Sequence, residues 1–175
     1  MAIEALAEIW DDVASSFQAT SAPVAAARMF IAACFGALVG IERELSAKAA
    51  GLRTHILISL GACLFALVSF EIVEFAQQDP TAQSADPLRL ISSVTSGVAF
   101  LAAGSIIVSK GRVRGLTTGA GMWMAGAIGL ACGVGKIGLA AMATGFVLAV
   151  LWLLRGVKEA LAPEEEPPVD SKGGG

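Results

Sequence analysis

Charge is scarce in this chain, and that scarcity settles its class before any motif is read. Only 15% of its 175 residues are Asp, Glu, Lys or Arg, against about 25% in an ordinary soluble domain. Hydrophobic residues make up 55% and the mean hydropathy is +0.73, so the composition suits a chain whose solvent is mostly lipid. Histidine occurs once, at His55, and no second ligand stands near it, which argues against a metal site. Cys34, Cys63 and Cys132 are isolated from one another, each near the middle of an apolar run; they read as small packing residues, and neither a disulfide framework nor a cysteine metal site is suggested. No nucleophile, base and orienting group cluster in the sequence, so the expectation is a protein that is not an enzyme, with no catalytic residue and no cofactor. No nucleic-acid partner is expected. Residues 3–17 are not expected to be a secretory signal: they have no basic start, and their apolar positions are broken by Glu4, Glu8, Asp11 and Asp12.

What the chain does have is five apolar runs, at 22–41, 56–70, 90–108, 116–135 and 137–154. A helix rises about 1.5 Å per residue, so roughly 20 residues cross a hydrocarbon slab about 30 Å thick. Four runs meet that length. The second is short and must borrow polar neighbours, Arg53 to His55 or Glu71 to Glu74, at the interfaces. The predicted fold is therefore all-α, a polytopic bundle of five transmembrane helices.

The connections orient it. Arg43, Lys48 and Arg53 follow the first run, Lys110, Arg112 and Arg114 the third, and Arg155, Lys158 and Lys172 the fifth, so nine of the 12 basic residues share one side. The opposite side carries Glu4, Glu8, Asp11, Asp12, Glu71, Glu74, Asp79 and Asp86. Basic loops stay in the cytoplasm, which puts the amino terminus outside and the carboxyl terminus inside. Outside the spans, Ile3, Leu6, Trp10, Val13 and Phe17 recur at helical spacing and predict an amphipathic interfacial segment within 1–20. The transmembrane domain occupies 21–156. Residues 157–175, rich in proline, glutamate and terminal glycine, are expected to be a disordered cytoplasmic tail.

Small residues recur every four positions: Ala32, Gly36, Gly40; Gly121, Ala125, Gly129, Gly133; and Ala141, Gly145, Ala149. Membrane helices associate by close backbone approach, which such stripes allow. Gly36, Gly40, Gly97, Gly104, Gly121 and Gly129 are the helix-packing candidates, and one stripe could serve instead as a homodimer face. A faint parallel repeat also shows. Arg28 and Gly36 lead to Gly51-Leu52-Arg53-Thr54, as Arg89 and Gly97 lead to Gly115-Leu116-Thr117-Thr118.

Those two turns carry whatever chemistry the sequence suggests. Each opens a span at the basic side, where free amides and the helix dipole favour an anion. With Arg53, Arg112 and Arg114 beside them, and Thr54 and Thr118 as candidate caps, they could hold a phosphate, a carboxylate or a lipid headgroup. Alternatively the arginines hold topology and pair with Glu42 and Glu44. Within the membrane the only formal charge is Arg28, which either marks function or snorkels outward. Ser93 and Ser96, with Ser92 and Thr95, either line a hydrated cavity or bond to neighbouring helices.

Four segments resemble the MgtC/SapB family: Gly36-Ala37-Leu38-Val39-Gly40-Ile41-Glu42-Arg43-Glu44, Gly51-Leu52-Arg53-Thr54-His55, Ser96-Gly97-Val98-Ala99-Phe100-Leu101-Ala102-Ala103-Gly104 and Arg114-Gly115-Leu116-Thr117-Thr118. The resemblance implies a bacterial inner-membrane protein with five spans. It also implies links to growth at low magnesium, to acid stress and intracellular survival in virulence, and in some members to restraint of ATP synthase through a membrane subunit. It makes Arg53, Thr54, His55, Arg112, Arg114, Gly115, Thr117 and Thr118 family-motif positions. Members usually have glycine where Ala99 and Ala102 stand, and glutamine near Ser93. Many carry a soluble domain after the fifth span, where this chain ends within about 20 residues, which weakens transfer of the virulence role. Two classes stay open: a non-enzymatic regulator acting by helix contacts in the bilayer, and a cation or small-solute transporter or channel.

Overall fold

The computed structural model describes residues 1–78, 86–109 and 111–161. Six helices and one small hairpin follow in the order α1 (Ala2–Ser15), α2 (Ala22–Leu45), α3 (Leu52–Gln78), α4 (Pro87–Gly104), β1 (Ile107–Ser109), β2 (Arg112–Arg114), α5 (Leu116–Gly133) and α6 (Ile137–Leu161). The residues 79–85 between α3 and α4, and with them Asp79, lie outside the described set.

Helices α2 and α3 are long and apolar enough to cross a membrane, and α4 and α6 contain shorter apolar stretches at Ile91–Gly104 and Ile137–Leu153. The second run, too short on its own, thus belongs to one of the two best spans. Its helix continues through Glu71, whose carboxylate accepts hydrogen bonds from the backbone amides of Gln18, Ala19 and Thr20 at 3.0 Å each. An anion held by three N–H groups has exchanged water for fixed dipoles, so the acid no longer has to end the helix.

Around α5 the bundle closes. Its Gly121, Ala125, Ile128, Gly129, Cys132 and Gly133 are buried, and one core cluster joins Ile128 and Cys132 to Ala32 and Val39 of α2, Cys63 and Leu67 of α3 and Ala140 of α6. The two buried cysteines thus pack in one cluster, both as free thiols. Glycine sets the helix spacing. A Cβ on Gly129 would stand 2.0 Å from the Ser59 carbonyl oxygen, and one on Gly36 would stand 2.7 Å from that of His55. Ser59 of α3 is therefore sandwiched between α2 and α5, and its hydroxyl donates to the Ala32 carbonyl at 2.8 Å.

Three expectations need correction. The third run does not stay helical to Val108: α4 ends at Gly104, and Ile107–Ser109 pairs antiparallel with Arg112–Arg114. The β-branched Ile107, Val108 and Val113 suit an extended ribbon, and Gly111 at φ 74° turns it. Residues 157–161, expected to be disordered, complete α6; 162–175, with Lys172, lie outside the described residues. The third small-residue stripe faces outward, since Ala141, Gly145 and Ala149 are exposed. α6 packs instead through Ile137, Ala140, Ala143, Val147 and Leu151, a neighbouring face of the same helix.

Candidate functional site

At the end of the bundle that carries the turns, a polar knot forms where α2 stops and α3 starts. Ser46 N–H bonds to the Glu42 carbonyl, Ala47 N–H to that of Glu44 and Lys48 N–H to that of Arg43, the two-bond C-cap that reverses a helix. The motif needs a left-handed residue, and here it is Ala47 at φ 51°, where glycine is usual. Across the turn, the Glu44 carboxylate accepts the Leu52 N–H at 3.0 Å and so caps α3. Gly51 leaves room for it, because a Cβ there would lie 1.7 Å from Glu44 Oε2.

Inside this turn are three ionisable side chains that water does not reach. Glu42, Arg43 and His55 are 9%, 4% and 0% exposed. Arg43 Nε donates to Glu42 Oε2, and Ser46 donates to Glu42 Oε1 at 2.9 Å. His55 Nδ1 lies 2.8 Å from the Gly51 carbonyl, which can only accept, so the proton is on Nδ1 and Nε2 presents a lone pair in the neutral ring. Among the described residues, that Nε2 and Arg43 Nη1 have no hydrogen-bond partner. Both side chains face Gly121 of α5: a Cβ there would lie 3.2 Å from His55 Nε2 and 3.9 Å from Arg43 Cδ. Behind the ring, Gly40 lets the Leu52 backbone and His55 Cβ approach α2.

The sequence-derived site residues fall into three groups. Arg53, Arg112, Arg114 and Thr117 are exposed at the basic end, with Thr54 partly covered. His55 and Thr118 are buried, so neither meets a surface anion. The anion expected at the start of α3 is supplied from within by Glu44, and Thr54 and Thr118 are not the N-caps: Gly115 is the cap residue of α5, at φ 87°, pressed where a Cβ would be 2.2 Å from the Ser105 carbonyl oxygen.

Arg28 is tied inward as well. Its Nη1 donates to the Gly133 carbonyl at 2.9 Å, placing a cation on the negative end of α5. It lines a recess of about 330 Å³ with Thr20, Glu74 and Gln77. Ser93 bonds to the Arg89 carbonyl of its own helix and Thr95 to that of Ile91, while Ser96 is exposed. A Cβ on Gly97 or Gly104 would meet nothing within 4 Å, so these two do not mediate close packing. That work falls to Gly119 and Gly126, which approach Ala102 and Val98. The two hairpins therefore pack differently: the first is close through glycines on α2, the second through glycines on α5. Among the described residues, no three His, Cys, Asp or Glu side chains converge as a metal site would require.

The MgtC family profile matches residues 29–160. The chain belongs to the MgtC family. Protein MgtC of Brucella abortus (strain 2308) is 38% identical over 126 residues, covering 72% of this chain and 49% of that protein. The putative magnesium transporter YhiD of Escherichia coli (strain K12) is 38% identical over 125 residues, 71% of this chain and 57% of YhiD. Protein MgtC of Salmonella choleraesuis (strain SC-B67) is 36% identical over 145 residues, 83% and 57% of the two chains. The chain thus spans about half the length of the curated relatives it matches. No solved structure gave a significant match. Family membership and two helices long and apolar enough to cross a membrane make this a membrane protein.

Sequence reasoning missed Ser59 and Glu71 as fold-holding groups. The signals were there: a serine in mid-span must find an acceptor in a medium without water, and an acid near a span end needs donors.

Proposed function

We propose that this member of the MgtC family is a non-enzymatic regulator of the bacterial inner membrane. It crosses the bilayer five times, with the amino terminus outside and the carboxyl terminus in the cytoplasm, and α1 lies on the outer interface. It serves adaptation to magnesium limitation or acid stress, or survival inside a host, and acts by helix contacts with a membrane partner such as an ATP synthase subunit.

One observation carries the choice of regulator over conduit. Among the described residues, the ionisable groups inside the bundle are bonded to the bundle itself, Arg43 to Glu42 and Arg28 to the Gly133 carbonyl, and the space between α2, α3 and α5 is closed by backbone contact at Gly36, Gly129 and Gly133. A path for a hydrated ion needs a continuous polar lining, and this core is lined by Ala32, Val39, Cys63, Ile128 and Cys132.

The alternative is a cation or small-solute transporter, favoured by the half-open recess of Arg28 and Glu74 and by the relative YhiD, which is named a putative magnesium transporter. Reconstitution decides. Proteoliposomes that pass no Mg2+, Na+ or H+ above empty liposomes, with recovery of ATP synthase subunits from mild-detergent extracts, support the regulator. Flux that scales with protein and disappears in Arg28→Gln refutes it.

A further inference from the structure

A groove of about 570 Å³ runs between α3 and α4, open on its outer side and almost wholly apolar. Leu57, Gly61 and Phe65 line one wall, and Ser93, Gly97 and Leu101 the other. Its floor is low because it lacks side chains: a Cβ on Gly61 or on Gly97 would meet nothing within 4 Å. Along α3 the lining extends from Leu57 to Ser69, about 18 Å at the rise of a helix, close to the roughly 15 Å depth of one leaflet of hydrocarbon. Its length and its apolar lining suit a hydrocarbon chain lying along α3.

Its two ends differ. At one end stand the hydroxyls of Ser69 and Ser93, both already donated to their own helices. At the other, Arg53 precedes Leu57 by four residues, on the stripe that continues through Gly61 and Phe65 and, by the tilt of helical side chains, leans beyond the groove mouth. Arg53 is exposed. The basic hairpin lies at this same end, because Ala50 at the start of α3 and Ala102 near the end of α4 share one apolar cluster, and Arg112 and Arg114 are exposed on that hairpin. The nearby Glu44 carboxylate is occupied by the Leu52 amide.

We infer that the α3–α4 groove binds one anionic phospholipid, with an acyl chain between Gly61 and Gly97 and the phosphate at Arg53 and the Arg112–Arg114 hairpin. An exposed arginine near an anionic surface is worth about a fivefold preference. The site stands whether the protein regulates or transports.

Native mass spectrometry of the full chain in mild detergent, with phosphatidylglycerol or phosphatidylcholine added, tests it. The wild type should retain one phosphatidylglycerol per chain and prefer it over phosphatidylcholine. Arg53→Gln should lower retained phosphatidylglycerol about fivefold and leave phosphatidylcholine unchanged. Gly97→Leu, which fills space that nothing else occupies, should remove both lipids with an unchanged melting temperature; Gly61→Leu repeats the test from the opposite wall should the first variant fold poorly. Equal retention of the two lipids by the wild type, or full retention by folded Gly97→Leu and Gly61→Leu, overturns the proposal. So does a lipid-free dimer that Gly97→Leu dissociates, since the occupant is then a second copy.

Discussion

Replacing Gly129 with alanine adds one methyl group and should be among the most damaging single changes in the chain. The new Cβ would stand 2.0 Å from the Ser59 carbonyl oxygen and 2.7 Å from both its carbonyl carbon and Cα. These are backbone atoms of a helix that is itself pinned on its far side, where the Ser59 hydroxyl holds the Ala32 carbonyl and Gly36 touches the His55 carbonyl. No flexible side chain can swing away, so α3 and α5 must separate. Overpacking of a rigid core costs about 1–3 kcal/mol, occasionally more, and this contact belongs at or above the top of that range. The control is Gly138→Ala in α6, where the added Cβ meets nothing within 4 Å. There the same methyl group should stabilise, by up to about 1 kcal/mol, because glycine weakens a helix relative to alanine. Reversible unfolding of both variants in mixed micelles measures the contrast, which should exceed about 3 kcal/mol and have opposite signs. Equal effects at the two positions would refute the claim that glycine sets the α3–α5 spacing.

Other perturbations follow from the same contacts. Glu44→Ala removes the carboxylate that caps Leu52 and should cost about 0.5–2 kcal/mol, with faster hydrogen exchange in the first turn of α3. Ala47→Gly relieves a left-handed alanine and should stabilise by about 0.5–1 kcal/mol, the left-handed strain less the added freedom of the unfolded chain; a melting temperature below wild type contradicts it. Glu71→Ala releases the amides of Gln18, Ala19 and Thr20, so exchange there should rise and proteolysis between α1 and α2 should quicken. Arg43→Met removes the guanidinium that bonds the buried Glu42 carboxylate and should destabilise the fold by up to about 3–5 kcal/mol, of which the double change Glu42→Met with Arg43→Met recovers most; a double variant no better than the single would show that the pair is needed for stability.

Apolar runs and small-residue spacing made the helices legible, and the stripe on the fourth run correctly marks α5 as a packed helix. Spacing alone could not tell which face of a helix meets protein. Gly145 sits in a stripe like that of Gly129, yet a Cβ on it meets nothing within 4 Å. In lipid both choices bury the apolar face equally well, so hydropathy carries no signal to separate them. The hairpin at 107–114 was hidden because its apolar residues continue the third run without a break. At the basic end the sequence showed which residues gather there but not their depth. His55 looked interfacial beside Arg53, and only the glycines at 40 and 121 let α2 and α5 come close enough to cover it.

The buried knot of Glu42, Arg43 and His55 is difficult to explain as a source of stability. Desolvating two charges costs about as much as their attraction returns, and apolar residues of similar volume usually do better. In a bundle held by glycine contacts, helices can slide by a turn and still bury small residues against small residues, so packing alone leaves the register of α2 on α3 weakly specified. Two bonds between the helices remove that freedom, from the Leu52 N–H to the Glu44 carboxylate and from the Ser59 hydroxyl to the Ala32 carbonyl, whereas the knot's own bonds stay within α2, Arg43 to Glu42, or within α3, His55 to Gly51. Among the described residues, Arg43 Nη1, a donor, and His55 Nε2, an acceptor, keep no hydrogen-bond partner. With Arg43 sealed inside and Arg53, Arg112 and Arg114 exposed, the charges that would meet an anionic ligand at this end are those outside the bundle.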